Sequence, residues 1–156
     1  MRIVDGAIAG ATGAVSMMIA RPAIERARLG PRDQASEWER VFRVQARRAG
    51  YRPSRTAVRI GGSAAHLVYG ASLGALLAML AGSRRVKPAV AGVPYGLVVW
   101  YANYAKHGLV AMLGALPPRR KTIPVAHHLV FGIVTAAVYS WLVDRRNASS
   151  PNARAS

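Results

Sequence analysis

The sequence predicts an all-α, polytopic membrane protein in which four transmembrane helices form a bundle. The chain carries a formal net charge of +16, yet 52% of its residues are hydrophobic. Its basic residues are gathered into clusters, and eleven of the 22 lie between Arg21 and Arg59. Long apolar segments separate the clusters. This distribution is expected when charged residues are confined to the loops between membrane spans.

Four apolar segments are long enough, or nearly so, to cross a hydrocarbon core of about 30 Å. They predict spans over residues 3–20, 60–82, 89–105 and 123–143. The third span has an alternative end at residue 116, because Asn103, Lys106 and His107 precede a further apolar stretch, GLVAMLGAL. We treat Asn103 and Lys106 as polar positions within the membrane, where an amide can hydrogen-bond to a neighbouring helix.

The basic linker, residues 21–58, is predicted to contain an amphipathic helix in the first loop. In SEWERVFRVQARRAG, Ser36 and Glu39 have the spacing of a capping box, and Trp38, Val41 and Phe42 recur at helical spacing. Four arginines fall mostly off this apolar stripe: Arg40, Arg43, Arg47 and Arg48. We expect the helix to lie in the membrane interface with these arginines toward anionic lipid head groups. The alternative is a solvated helix packed on a partner.

A single membrane domain is therefore predicted over residues 1–146, followed by a polar tail, 147–156, that we expect to be disordered. The first and third loops hold 14 basic residues, against 7 on the opposite side of the membrane. The positive-inside rule then places the linker in the cytoplasm and both termini on the opposite side of the membrane.

A repeated phrase indicates an internal duplication. AHLVYG at residues 65–70 returns as HHLVFG at 127–132, and AGATG at 9–13 is echoed by AGVPYG at 91–96. The repeating unit is a pair of helices, so both copies insert with the same orientation. We therefore predict two parallel helical-hairpin repeats.

Small residues mark the predicted contacts between helices. Because lipid tails are as apolar as leucine, helices in a bilayer associate by close van der Waals contact, which small residues permit. The predicted packing positions are Gly6, Gly10, Gly70, Gly74, Gly132 and Ala136.

The histidines are predicted to lie toward the cytoplasmic face, and they are weak candidates for a metal site: His66, His107, His127 and His128. No carboxylate in the spans accompanies them except Asp5, which the topology places at the far face. The preferred interpretation is that each histidine caps or hydrogen-bonds a neighbouring helix, and no cofactor is predicted. Asp5 is expected to pair with an outer arginine such as Arg84 or Arg85, or to cap its helix.

The phrases AHLVYGASLGALLA and HHLVFGIVTAAVYSWL, together with the glycine-rich first helix, resemble the small bacterial inner-membrane proteins of the YagU-like family. The resemblance covers the spans and leaves out the arginine-rich linker. It implies a multi-pass membrane architecture and supplies no function.

No catalytic motif is present in the sequence, so we expect a protein that is not an enzyme. The favoured function is an accessory or structural subunit that packs against other membrane proteins or its own copies, in contact with anionic lipids and not with nucleic acid. The first alternative is a small channel or transporter for an ion or small solute. The second is a protein that binds metal or haem at its histidines.

Overall fold

The computed structural model describes residues 2–29, 36–82, 84, 86–104 and 123–149. Every secondary-structure element within these ranges is helical. The elements are α1 (Arg2–Leu29), α2 (Glu37–Arg48), α3 (Arg55–Ala81), a π-helical turn (Pro88–Gly92), α4 (Val93–Tyr104) and α5 (Ile123–Ala148). Three segments are long and apolar enough to cross a membrane: Arg2–Ala23, Arg55–Ala81 and Val125–Ala148. The predicted all-α class and membrane-compatible helices are confirmed.

Helix α1 is longer than the predicted span, which ended at residue 20. It continues through Pro22 to Leu29, so the first part of the basic linker is helical. Pro22 lacks an N–H and removes one backbone hydrogen bond, to the carbonyl of Met18, but the helix continues on its far side. The predicted span ends just before Arg21, whereas the helix extends beyond the apolar segment.

Serine caps define the beginnings of α2 and α3. The Ser36 hydroxyl accepts a hydrogen bond from the Glu39 N–H at 3.0 Å, as the capping-box spacing predicts. The Ser54 hydroxyl accepts one from the Ala57 N–H at 3.2 Å, so α3 begins at Arg55, five residues before the predicted start of the span. The helix ends at Gly82, where φ is +62°, a conformation that glycine adopts without a steric penalty.

The third predicted span corresponds to the π turn and α4, which together run from Pro88 to Tyr104. Pro94 has no N–H to donate to the carbonyl of Val90, and the wider π turn lies directly before it. The apolar stretch after residue 104, which offered the alternative end at 116, lies outside the described residues. Helix α5 continues five residues beyond the predicted span end and includes the first two residues of the predicted tail. The rest of that tail, beyond Ser149, is also outside the described residues.

Helix α1 is the centre of the described arrangement, in contact with both α3 and α5, while α4 packs on α5 and α2 packs on α3. Gly6 lies opposite Gly74 and Gly10 opposite Gly70, so α1 and α3 are antiparallel. Asp5 contacts Arg146 near the end of α5, and Gly13 contacts Thr135, which lies earlier in that helix. Helix α5 is therefore also antiparallel to α1. The two helices that contain the repeated phrase, α3 and α5, run in the same direction.

Small and aromatic side chains share the interior. One buried cluster contains Ala9, Ala78, Tyr139 and Val143, and a second contains Ala14, Val99 and Phe131. Large apolar side chains point outward, including Ile8, Ile19, Ile60, Val68, Met79, Leu80, Val98 and Ile133. An apolar outer surface around an interior of small residues is typical of helices surrounded by lipid.

Candidate functional site

The contact between α1 and α3 consists of backbone meeting backbone; we call its residues Gly6, Gly10, Gly70 and Gly74 the first glycine seam. A Cβ placed on Gly10 would overlap the carbonyl oxygen of Gly70 and lie 2.7 Å from the Cα of Gly74. A Cβ on Gly74 would lie 2.6 Å from the Cα of Gly10. Real Cβ atoms do not approach backbone this closely, so only glycine permits this helix separation at these positions.

The contact between α4 and α5 has the same character, and we call Gly92, Gly96 and Gly132 the second glycine seam. A Cβ on Gly92 would lie 2.7 Å from the carbonyl oxygen of Gly132, and one on Gly96 would overlap the carbonyl oxygen of His128. Gly132 is one of the packing residues predicted from the sequence, whereas its partners Gly92 and Gly96 are not among them. Gly92 and Gly96 are themselves four residues apart, and this G-x-x-x-G spacing was the signal that could have identified them. Ala136, the remaining predicted packing residue, is fully buried on α5.

The end of the bundle at which α3 and α5 begin collects histidines and aromatic rings; we call it the histidine end. Trp38 of α2 stacks on His66, with ring centroids 5.8 Å apart, and also contacts the ring of Tyr69 at 4.9 Å. Tyr104 meets His128 edge to face at 5.6 Å. His127 and His128 are both buried. These contacts give His66 and His128 a packing role between helices.

The histidines form a cluster only in part. His66 and His128 are close enough for a charge on one ring to affect the other. Among the described residues, no group of three or more His, Asp or Glu side chains is arranged to hold a metal ion. His107 and Lys106 lie outside the described residues, so the predicted site that includes them stays a prediction.

Polar side chains join α3 to α4. The Tyr69 hydroxyl donates to the Asn103 side-chain oxygen at 3.0 Å, and the Asn103 amide donates to the carbonyl of Val99 at 2.9 Å. The Tyr95 hydroxyl donates to the carbonyl of Leu73 at 2.5 Å. Asn103 is 2% exposed, so the residue predicted to be polar within the membrane lies in the interior, where both ends of its amide are hydrogen-bonded.

The opposite end of the bundle contains a buried acid; we call it the aspartate end. Asp5 is 2% exposed and forms an ion pair with Arg146. The expected partner was an outer arginine such as Arg84 or Arg85, and the partner in the structure is Arg146 of α5. Ser140 closes the same end by donating its hydroxyl to the Val86 carbonyl at 2.5 Å and accepting from the Val86 N–H at 3.2 Å. A buried carboxylate needs such a partner because an unpaired charge in an apolar interior is costly.

The amphipathic helix α2 packs on the start of α3. A Cβ on Gly61 would overlap the Phe42 ring, and one on Gly62 would lie 2.8 Å from the backbone of Glu39. The apolar stripe of α2 is therefore directed at α3 and not at lipid alone. The four arginines proposed to meet lipid head groups differ in burial: Arg40 and Arg43 are half-buried, and Arg47 and Arg48 are exposed.

Comparisons with protein-family models, with curated proteins and with solved structures find no match to this chain.

Proposed function

We propose that this chain is a non-catalytic, four-span integral membrane protein that serves as an accessory or structural subunit of a larger membrane assembly or of an oligomer of its own copies. The pair of glycine seams is the observation that carries the proposal. Each seam is built by backbone contact along a helical hairpin, and large apolar side chains cover the outer faces. Such a molecule offers a rigid, lipid-compatible surface to partners.

The fourth span in this proposal is formed by the π turn with α4. Its 17 residues from Pro88 to Tyr104 are at the lower limit of the length that crosses a hydrocarbon core. Its packing along α5 and its exposed Val90, Leu97 and Val98 support a position in the bilayer.

The duplication belongs to the same proposal. Gly10 opposes Gly70 in the first seam, and Gly92 opposes Gly132 in the second. The alignment of residues 65–70 with 127–132 pairs Gly70 with Gly132, and the separate echo of AGATG (9–13) in AGVPYG (91–96) pairs Gly10 with Gly92. Equivalent positions therefore meet in both hairpins, as expected of two copies related by an axis along the membrane normal.

The proposed orientation in the bacterial inner membrane has α2 at the cytoplasmic surface and both termini outside. The basic linker supports it through the positive-inside rule. The chain has no cysteine, so single cysteines report topology cleanly. We expect a membrane-impermeant maleimide to label Arg84→Cys and Ala148→Cys from outside, and Ala49→Cys only after the membrane is opened. Labelling of Ala49→Cys and Arg84→Cys from the same side would show that α3 does not cross the membrane.

The accessory role is tested by purification of the full chain in mild detergent after cross-linking in the membrane. We expect either a homo-oligomer or defined membrane-protein partners. A second candidate function, a small channel or transporter, is favoured by the hydrogen bonds of Tyr69 and Tyr95, which place polar groups between α3 and α4. A monomer that supports solute flux in proteoliposomes, with flux lost in Asn103→Leu, would favour that second function and contradict the first.

A further inference from the structure

A basic cleft lies where α2, the following turn and the start of α3 meet. Its volume is about 770 Å³, which is within the usual range for ligand pockets. Four arginines line it from three successive segments: Arg43 and Arg47 of α2, Arg52 of the turn, and Arg55, the first residue of α3. We call these residues the arginine cleft.

The charge of the arginine cleft is not neutralised within the described part of the chain. No described carboxylate forms an ion pair with any of its four arginines. The N-terminus of α3, capped by Ser54, adds the partial positive charge of a helix end beside Arg55. Guanidinium groups bind both carboxylate and phosphate through paired hydrogen bonds. A phosphate has more acceptor oxygens than a carboxylate, so it can accept from arginines of more than one of these segments.

The position of the cleft along α3 corresponds to the level of lipid head groups. Arg55 is five residues before Ile60, whose side chain is 66% exposed and begins the apolar outer face of the helix. Tyr51, also in the lining, is 56% exposed. Tyrosine with an apolar ring and a polar hydroxyl is enriched at this boundary between hydrocarbon and water.

We propose that the arginine cleft binds the head group of an anionic phospholipid that carries two phosphates. A phosphodiester carries one negative charge, so a single phosphate compensates one of the four guanidinium charges, whereas two phosphates compensate half of them and give each pair of arginines one phosphate. The proposal rests on the proposed membrane insertion of the chain. It differs from general attraction of basic residues to an anionic surface, because it assigns the binding to four arginines and not to others close by.

Two variants of the full chain distinguish a specific lipid-binding site from general attraction of basic residues to an anionic surface. Arg52→Gln removes one charge from the arginine cleft, in the turn between its two helices. Arg59→Gln removes the same charge from an exposed residue nearby that does not line the cleft. Glutamine keeps a polar, hydrogen-bonding side chain without the charge, and circular dichroism of each purified variant checks that the helices are retained.

The measurement is lipid binding by native mass spectrometry and by nanodisc titration, with cardiolipin compared with phosphatidylglycerol at equal total negative charge. We expect wild-type protein to bind cardiolipin at least about tenfold more tightly than phosphatidylglycerol, a difference of about 1.4 kcal/mol. The cleft variant should lose this preference and the control variant should keep it. Equal binding of both lipids, or equal losses in both variants, would overturn the proposal.

A competition distinguishes the source of the phosphates. Inorganic pyrophosphate at the concentration of the lipid head group should not displace cardiolipin, and displacement would show that the cleft takes a soluble anion. Membrane insertion is measured separately by resistance to alkaline extraction. Insertion without lipid preference would overturn the lipid site alone, whereas extraction of the chain from the membrane would overturn the proposed function.

Discussion

Gly74→Ala is the substitution that tests the first glycine seam most directly. The added Cβ would lie 2.6 Å from the Cα of Gly10, whereas carbon atoms in favourable contact are about 3.5–4.0 Å apart. Helices α1 and α3 must therefore separate by roughly 1 Å, and a gap of that size forfeits about a quarter to a half of the attraction at each affected contact. Overpacking of this kind costs about 1–3 kcal/mol.

The sign of the effect discriminates between explanations. Helix propensity alone predicts that alanine in place of a helical glycine stabilises by about 1 kcal/mol. The seam predicts the reverse, a net decrease of up to about 2 kcal/mol in the free energy of unfolding once that gain is subtracted. The assay is reversible unfolding in mixed micelles of increasing SDS fraction, followed by far-ultraviolet circular dichroism.

Ala64→Val is the matched control, because it adds volume on the exposed side of the same helix. We expect it to change the free energy of unfolding by less than about 0.5 kcal/mol. Gly132→Ala should destabilise as Gly74→Ala does, since a Cβ on Gly132 would lie 2.8 Å from the Cα of Gly96. Unfolding of Gly74→Ala at the wild-type SDS fraction or above would refute the backbone contact.

Three further substitutions are measured by the same unfolding assay. Arg146→Gln leaves the buried Asp5 carboxylate without its charged partner and should destabilise the protein by about 1–3 kcal/mol. The loss is smaller than for a fully buried pair because the Arg146 side chain is 37% exposed. If adding Asp5→Asn recovers none of the lost stability, the coupling is contradicted. Thr135→Val should be neutral or stabilising, because the Thr135 hydroxyl is buried without a hydrogen-bond partner among the described residues; a loss above about 1 kcal/mol would reveal a bond to that hydroxyl. Asn103→Leu should lower the free energy of unfolding by about 1 kcal/mol through loss of the Tyr69 hydrogen bond. If the SDS midpoint of unfolding is unchanged both in Asn103→Leu and in the double variant with Tyr69→Phe, the bond contributes nothing to stability.

Local features of this chain could be predicted from sequence. The Ser36 cap of α2 depends on a hydrogen bond across three residues, and the apolar segments depend on composition over about twenty. Helix ends were predicted less well where the end of the apolar stretch differs from the end of the helix. The apolar stretch of α1 stops near residue 20, but its backbone remains helical to Leu29, because the hydrogen bonds of a helix do not require apolar side chains.

Long-range partners could not be predicted in the same way. Asp5 and Arg146 are 141 residues apart, and several other arginines were equally available by topology. The G-x-x-x-G spacing of Gly92 and Gly96 marks them as packing residues, but only the structure shows that the helix they pack against is α5. Pairings of this kind depend on which helices are neighbours, and the sequence of a single helix does not contain that information.

The central position of α1 also affects how the protein is made. During synthesis α1 emerges first, and α5, which fills its second face through Gly13 and Asp5, emerges last. One flank of α1 therefore stays uncovered after the first hairpin is complete at Ala81, until translation has reached α5 at Ile123–Ala148. Assembly of this bundle consequently ends, rather than begins, at its amino-terminal helix.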